Sequence, residues 1–217
     1  MSCYDATSAN IAKLLGCDAI LVGDSTGILN LGYKNTNNIN IKNIIDILKK
    51  IKKVTSLPII VDLPSHSLTN NQLAISHAKK LTKCGADIIK IEGHGEINQL
   101  VATLTKKNIS ICTHIGITPQ KHSPKNTPSE YARIAKEHED SGAKLIVLSK
   151  MSTAANKKVS ESVSIPLVGY KNTNFCNGKV DVMYVALGLL KGEEIKININ
   201  QQSAAFKHIA NFFKKTS

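Results

Sequence analysis

Six short runs of branched apolar residues recur along this chain, with enough residues between them for a helix each time, and no other feature constrains the fold as much. The runs are AILVGDS (Ala19 to Ser25), PIIVDLP (Pro58 to Pro64), DIIKIEG (Asp87 to Gly93), SICTHIG (Ser110 to Gly116), KLIVLSK (Lys144 to Lys150) and IPLVGY (Ile165 to Tyr170). Each has the length and composition of a strand buried on both faces. Between the first two, Ile41, Ile44, Ile45, Leu48 and Ile51 recur at helical spacing and leave a lysine-rich face opposite. Leu73, Ile75, Ala78, Leu81 and Thr82 do the same before the stop at Cys84 and Gly85. A glycine directly ahead of a strand, at Gly16, Gly85 and Gly142, marks a helix that ends and feeds the next strand. Strictly alternating strands and helices predict a parallel sheet with right-handed crossovers. In 217 residues the expected form is a single domain, residues 1–217, built as a parallel (β/α)₈ barrel. Its first strand has only Ser2 to Tyr4 to draw on, and its eighth, near Lys179 to Val182, is weakly marked. An open doubly wound sheet is the alternative, but no G-x-G-x-x-G follows any strand. Thr26 to Asn40, His122 to Ser129 and Lys171 to Gly178 are the irregular stretches long enough to act as functional loops.

Charge narrows the partners. The net charge is +12, yet Arg133 is the single arginine among 28 basic residues. Proteins that grip phosphates or read bases favour the planar, bidentate arginine fork. Aromatic residues make up 4% of the chain, too few for base stacking, so a specific nucleic-acid partner is not expected. The lysines read instead as solvated helix faces. Five cysteines (Cys3, Cys17, Cys84, Cys112, Cys176) without a C-x-x-C pair support neither a disulfide framework nor a structural zinc site. No apolar run approaches a membrane span and the N-terminus lacks a signal pattern, so a cytoplasmic location is expected.

The active site of such a barrel is assembled where its strands end. Those ends carry Asp24 and Ser25, then Asp62, then Lys90 and Glu92, then His114, then Ser149. An aspartate after a strand is often no more than the cap of the next helix. Three carboxylates converging on one rim, however, repel one another unless a cation joins them, and hard oxygen donors suit Mg²⁺. Lys90 and Glu92 lie two apart and share one side of their strand. The isoleucines around Lys90 argue for burial, and a buried lysine needs a partner. His94 is expected to face solvent, and Cys112 to be a packing residue.

The runs LVGDSTGILNLGY, VDLP, KIEG and HIGITPQ, in this order and at these separations, resemble the ketopantoate hydroxymethyltransferase family from about Cys3 to Leu189. The resemblance implies a Mg²⁺-dependent barrel of the phosphoenolpyruvate/pyruvate type. Its implied reaction transfers a hydroxymethyl group from 5,10-methylenetetrahydrofolate to the enolate of 3-methyl-2-oxobutanoate, a step of pantothenate synthesis that gives 2-dehydropantoate. Asp24 and Asp62 would hold the metal, with Glu92 completing the carboxylate set. Ser25 and Lys90 would bind the keto acid beside the two aspartates, and His114 would stand near its reacting end. A homo-oligomer is expected. The chain departs from the family pattern at three places. Ser149 stands where a glutamate serves as proton acceptor, Lys121 to Pro128 replaces a longer glycine-rich segment, and VGYKN (Val168 to Asn172) replaces a GIGAG run. A neutral serine is a poor base at neutral pH. Two other readings therefore stand beside the transferase: another Mg²⁺-dependent reaction of a 2-keto acid, such as carbon–carbon cleavage, and a catalytically silent paralogue.

Overall fold

A computed structural model describes residues 1–118, 126–190 and 200–214. Seven parallel strands form one curled sheet in sequence order: β1 (Ile20–Val22), β2 (Ile59–Asp62), β3 (Ile88–Glu92), β4 (Ile111–Gly116), β5 (Leu145–Ser149), β6 (Leu167–Tyr170) and β7 (Gly178–Lys179). The two edges meet through Ser2, which bridges Leu21 on one side and Val182 on the other, both in parallel sense. Ser2 N–H donates to Asp181 O at 2.9 Å, and Met183 N–H donates to Ser2 O at 3.1 Å. The expected first strand is thus a single rung, and the eighth is two residues long.

The helices around this ring are α1 (Ala6–Leu14), α2 (Thr26–Leu29), α3 (Ile41–Lys52), α4 (Asn71–Lys83), α5 (Asn98–Thr105), α6 (Pro128–Asp140), α7 (Thr153–Ser160), α8 (Met183–Ala186) and α9 (Ala204–Lys214). The stretch from Thr26 to Asn40 is less irregular than expected, since it holds α2 and a 3₁₀ turn at Thr36–Asn38. Asn40 caps α3 in a reciprocal box with Asn43, and Ile44, Ile47, Leu48 and Ile51 form its buried stripe. In α4 the buried face is Ala74, His77, Ala78 and Leu81, whereas Leu73 is exposed. The sequence stripe misses His77, a polar residue at a core position, whose Nδ1 lies 2.8 Å from the Ser67 hydroxyl.

Outward-facing strand residues carry the core. Ile20, Val22, Ile59, Val61, Ile89, Ile91, Ile111 and Ile146 are each 0% exposed beneath the helices. Burial of each such side chain stabilises the fold by roughly 1.5–3 kcal/mol. The inward-facing Leu21, Ile60, Leu145 and Val168 are only half-buried. One crossover departs from the pattern: Lys171 to Asn177, all described, contain no helix between β6 and β7. A parallel connection this short holds its shape through asparagines. The Asn156 amide donates to Asn172 O and Asn174 O, both at 3.2 Å, and Asn177 Oδ1 accepts from Leu167 N at 2.8 Å. Among the described residues, no helix is long and apolar enough to cross a membrane.

Candidate active site

Strand register assembles the site. Asp62 on β2 pairs across to Lys90 on β3, and Glu92 on β3 pairs to His114 on β4. These four side chains therefore meet at the C-terminal mouth of the ring, beside Asp24 and Ser25, which follow β1. All seven residues expected from the strand ends, Ser149 included, line one cavity. All are buried, with Asp24 and Glu92 2% exposed and Lys90 3%.

The Lys90 ammonium sits 2.5 Å from Asp62 Oδ1, and 3.3 Å from both Glu92 Oε1 and His114 Nδ1. Burial alone would pull its pKa down. The neighbouring carboxylates of Asp62 and Glu92, with a smaller contribution from Asp24, overcome that and hold it above the ordinary lysine value. Lys90 is therefore a permanent cation inside an acidic cluster. His114 Nδ1 lies 2.8 Å from Glu92 Oε1, closer than it lies to the Lys90 ammonium. A carboxylate can only accept, so Glu92 favours a proton on Nδ1, whereas the Lys90 ammonium facing the same nitrogen can only donate to its lone pair. His114 Nε2 is buried with no hydrogen-bond partner among the described residues. Asp24 N–H donates to Asp62 Oδ2 at 2.9 Å, which ties the two aspartates together.

Among the described residues no three His, Cys, Asp or Glu side chains are gathered in a way that could hold a metal ion. Lys90 lies between Asp62 and Glu92, and Glu92 is engaged with Lys90 and His114. The donor chemistry still suits Mg²⁺. Three buried carboxylates face one ammonium, and Mg²⁺ commonly uses one or two protein carboxylates, filling its shell with water and substrate oxygens. Asp24 and Asp62, tied together by the Asp24 N–H, would be the carboxylates to hold it.

Gly116 shows how tightly β4 and β5 close here. Its φ is +103°, and a Cβ at this position would fall 2.2 Å from Ser149 O. Cys112 faces Lys90, but burial pushes its thiol up to about 12, which fits a packing residue. His94 is half-buried and does not line the cavity. Tyr170, Asp181 and Ser2 also line it, and none was expected. Tyr170 ends the sixth run, where the strand-end rule could have found it, whereas Asp181 follows β7, a two-residue strand that the sequence barely marks. The segment after Thr118 begins outside the described residues, which omit 119–125.

A family model described as ketopantoate hydroxymethyltransferase matches residues 1–215. The chain belongs to that family. A 3-methyl-2-oxobutanoate hydroxymethyltransferase of Thermotoga sp. (strain RQ2) is 36% identical over 201 residues, covering 87% of this chain and 74% of the relative. Ketopantoate hydroxymethyltransferases are transferases, so the chain is a member of an enzyme family. Solved structures extend the likeness at the level of fold alone. A phosphonopyruvate hydrolase in complex with oxalate and Mg⁺⁺ superposes with a TM-score of 0.74 at 13% identity, over 100% of this chain and 82% of that one. A phosphoenolpyruvate phosphomutase from Streptomyces platensis subsp. rosaceus gives 0.73 at 10% identity, over 99% and 80%. The curled parallel sheet of this chain thus has the barrel-type α/β fold of those enzymes, in line with the alternation of strands and helices in the sequence.

Proposed function

We propose that the chain is a 3-methyl-2-oxobutanoate hydroxymethyltransferase that uses 5,10-methylenetetrahydrofolate and yields 2-dehydropantoate. The observation that carries this reading is the buried Asp62, Lys90, Glu92 and His114 cluster at the strand ends, next to Asp24 and Ser25. Asp24 and Asp62 would hold Mg²⁺, and Glu92 acts behind them by fixing Lys90 and His114. When bound, Mg²⁺ would supply positive charge that stabilises the negative charge developing during enolisation. Ser25 and the Lys90 cation help seat the acid's carboxylate. His114 Nε2 accepts the proton from the carbon next to the keto group. Water displaces both folate nitrogens from the methylene carbon, giving formaldehyde and tetrahydrofolate. The enolate forms its bond to the formaldehyde carbon, and the oxygen takes up the proton held by His114 to become the hydroxyl of the product. In this scheme His114 does the work for which Ser149 lacks a base, and Glu92 favours the tautomer that makes it possible.

Incubation with 3-methyl-2-oxobutanoate and Mg²⁺ in deuterated water, with and without the folate, separates enolisation from transfer. Exchange at the reacting carbon followed by product is the expected result. Exchange without product, from enzyme that stays folded, would favour a different 2-keto-acid reaction, a reading that the serine at position 149 makes specific. Tight keto-acid binding without exchange would point to a silent paralogue. Absence of Mg²⁺-dependent keto-acid binding would remove the proposal altogether.

A further inference from the structure

Ser2 closes the ring, and its backbone is fully used in doing so. Its N–H donates to Asp181 O at 2.9 Å, and its carbonyl accepts from Met183 N at 3.1 Å. Only the side chain remains. Ser2 lines the cavity with Asp24, Ser25 and Asp62 and is 3% exposed. Its hydroxyl is buried without a hydrogen-bond partner among the described residues. A buried hydroxyl left unpaired works against the fold, so its place there needs a reason outside the strand ladder. Gly23, directly after β1, supplies one. A Cβ at Gly23 would stand 3.3 Å from Asp62 Oδ2, 3.4 Å from Ser25 Oγ and 3.7 Å from Ser2 Oγ. The missing side chain leaves a space bordered by three oxygens, one from each of three neighbouring members of the ring. Two of the three can donate. Asp62 Oδ2 accepts from the Asp24 N–H at 2.9 Å and, as a carboxylate, has no proton to give.

We propose that Ser2 is a substrate-binding residue whose hydroxyl donates, together with that of Ser25, to the carboxylate of the 2-keto acid. This rests on the keto-acid reading of the site. A carboxylate presents about four lone-pair sites, and it needs several donors when it leaves water. Lys90 alone does not meet that need, because its ammonium is shared among Asp62, Glu92 and His114. Ser25 gives one hydroxyl and Ser2 the second. The Ser2 hydroxyl stands on the rung that closes the ring, so little order is lost when it binds. Asp62 Oδ2 borders the same space and repels an anion. The two hydroxyls therefore hold a carboxylate only when a cation balances Asp62, which ties the role of Ser2 to Mg²⁺.

Calorimetry of 3-methyl-2-oxobutanoate in Mg²⁺ with the wild type, Ser2→Ala and Ser2→Thr tests it. Ser2→Ala should weaken binding about 10–10²-fold, the worth of a hydrogen bond to a charged group. Ser2→Thr keeps the hydroxyl and should retain most of the affinity. Mg²⁺ alone should bind both variants as it binds the wild type. Without ligands, Ser2→Ala should melt no lower than the wild type, because it removes a buried hydroxyl that lacks a partner. Deuterium exchange at saturating keto acid should change little, since the carboxylate is not the reacting end. Gly23→Ala narrows the space itself and should weaken keto-acid binding with Ser2 intact. Wild-type keto-acid affinity in Ser2→Ala or in Gly23→Ala overturns the inference while leaving the proposed function standing. So does a lower melting temperature or failure to fold in unliganded Ser2→Ala, which assigns the hydroxyl to the fold. A loss of Mg²⁺ affinity without keto acid assigns it to the metal's own shell and overturns the inference as well. Failure of the wild type to bind the keto acid in Mg²⁺ overturns both.

Discussion

Removal of the Lys90 ammonium would leave Asp62 and Glu92 buried and facing each other without a cation. Lys90→Met is therefore expected to destabilise the protein by about 3–5 kcal/mol at neutral pH, the usual result of breaking a buried ion pair on one side. The loss should shrink in acid, where the two carboxylates take up protons. In the wild type the Lys90 pKa lies above its free value. Its contribution is therefore full below the free lysine value of about 10.4 and is lost as pH climbs through the higher folded value. Melting curves of both proteins between neutral and strongly alkaline pH should converge at the top of that range, and parallel curves would contradict this account. At His114 the expected outcome is chemical. His114→Gln keeps the size but lacks the base, so exchange at the reacting carbon should fall about 10²–10⁴-fold, whereas Ser149→Ala should change it little. If Ser149→Ala proves as damaging as His114→Gln, the assignment of the base is wrong. The polar cluster is legible in the sequence because each member closes an apolar run. Tyr170 and Asp181 are harder to see: one is an uncharged aromatic, and the other follows a strand of only two residues.

Strands β1 to β6 are legible because their outward faces must be branched and apolar, whatever lies inside the ring. β7 is not, since Gly178 and Lys179 pair with Val168 and Gly169 through backbone alone. The sequence also gives no sign that the crossover before it lacks a helix, because asparagines that clamp a loop look like any polar linker. Asn156 is fully buried, and its amide holds two carbonyls of that loop. Asn156→Ala leaves both carbonyls without their donor, at an expected cost of about 1–3 kcal/mol. The damage should be local. Hydrogen exchange should quicken at Leu167 to Lys179 and stay unchanged in α3 and α4, and a uniform loss of protection would show that the loop is not an independent clamp.

The partial exposure of the inward-facing Leu21, Ile60, Leu145 and Val168 is invisible in the sequence, because these are the same residue types that fill a packed core. Only the ring's geometry, closed by one rung and a two-residue strand, leaves them half-buried. A protein with buried like charges at the mouth of its ring gains stability from whatever binds there and balances them. Three carboxylates and one ammonium favour a divalent cation, and a keto acid adds oxygens to that cation, so the two ligands should bind together better than either does alone. A ligand present at 100 times its dissociation constant adds about 2.7 kcal/mol to the folded state. For a domain of this size each kcal/mol raises Tm by about 2–4 °C. Mg²⁺ with saturating 3-methyl-2-oxobutanoate should therefore raise Tm by about 5–11 °C, more than the sum of the two separate shifts. Chelator should remove the combined shift, and Asp62→Ala should abolish it even if the apo variant melts normally. Additive shifts, or a keto-acid shift that persists in chelator, would mean that the acid does not meet a metal at Asp24 and Asp62, and that the acidic cluster is balanced by protons and Lys90 alone.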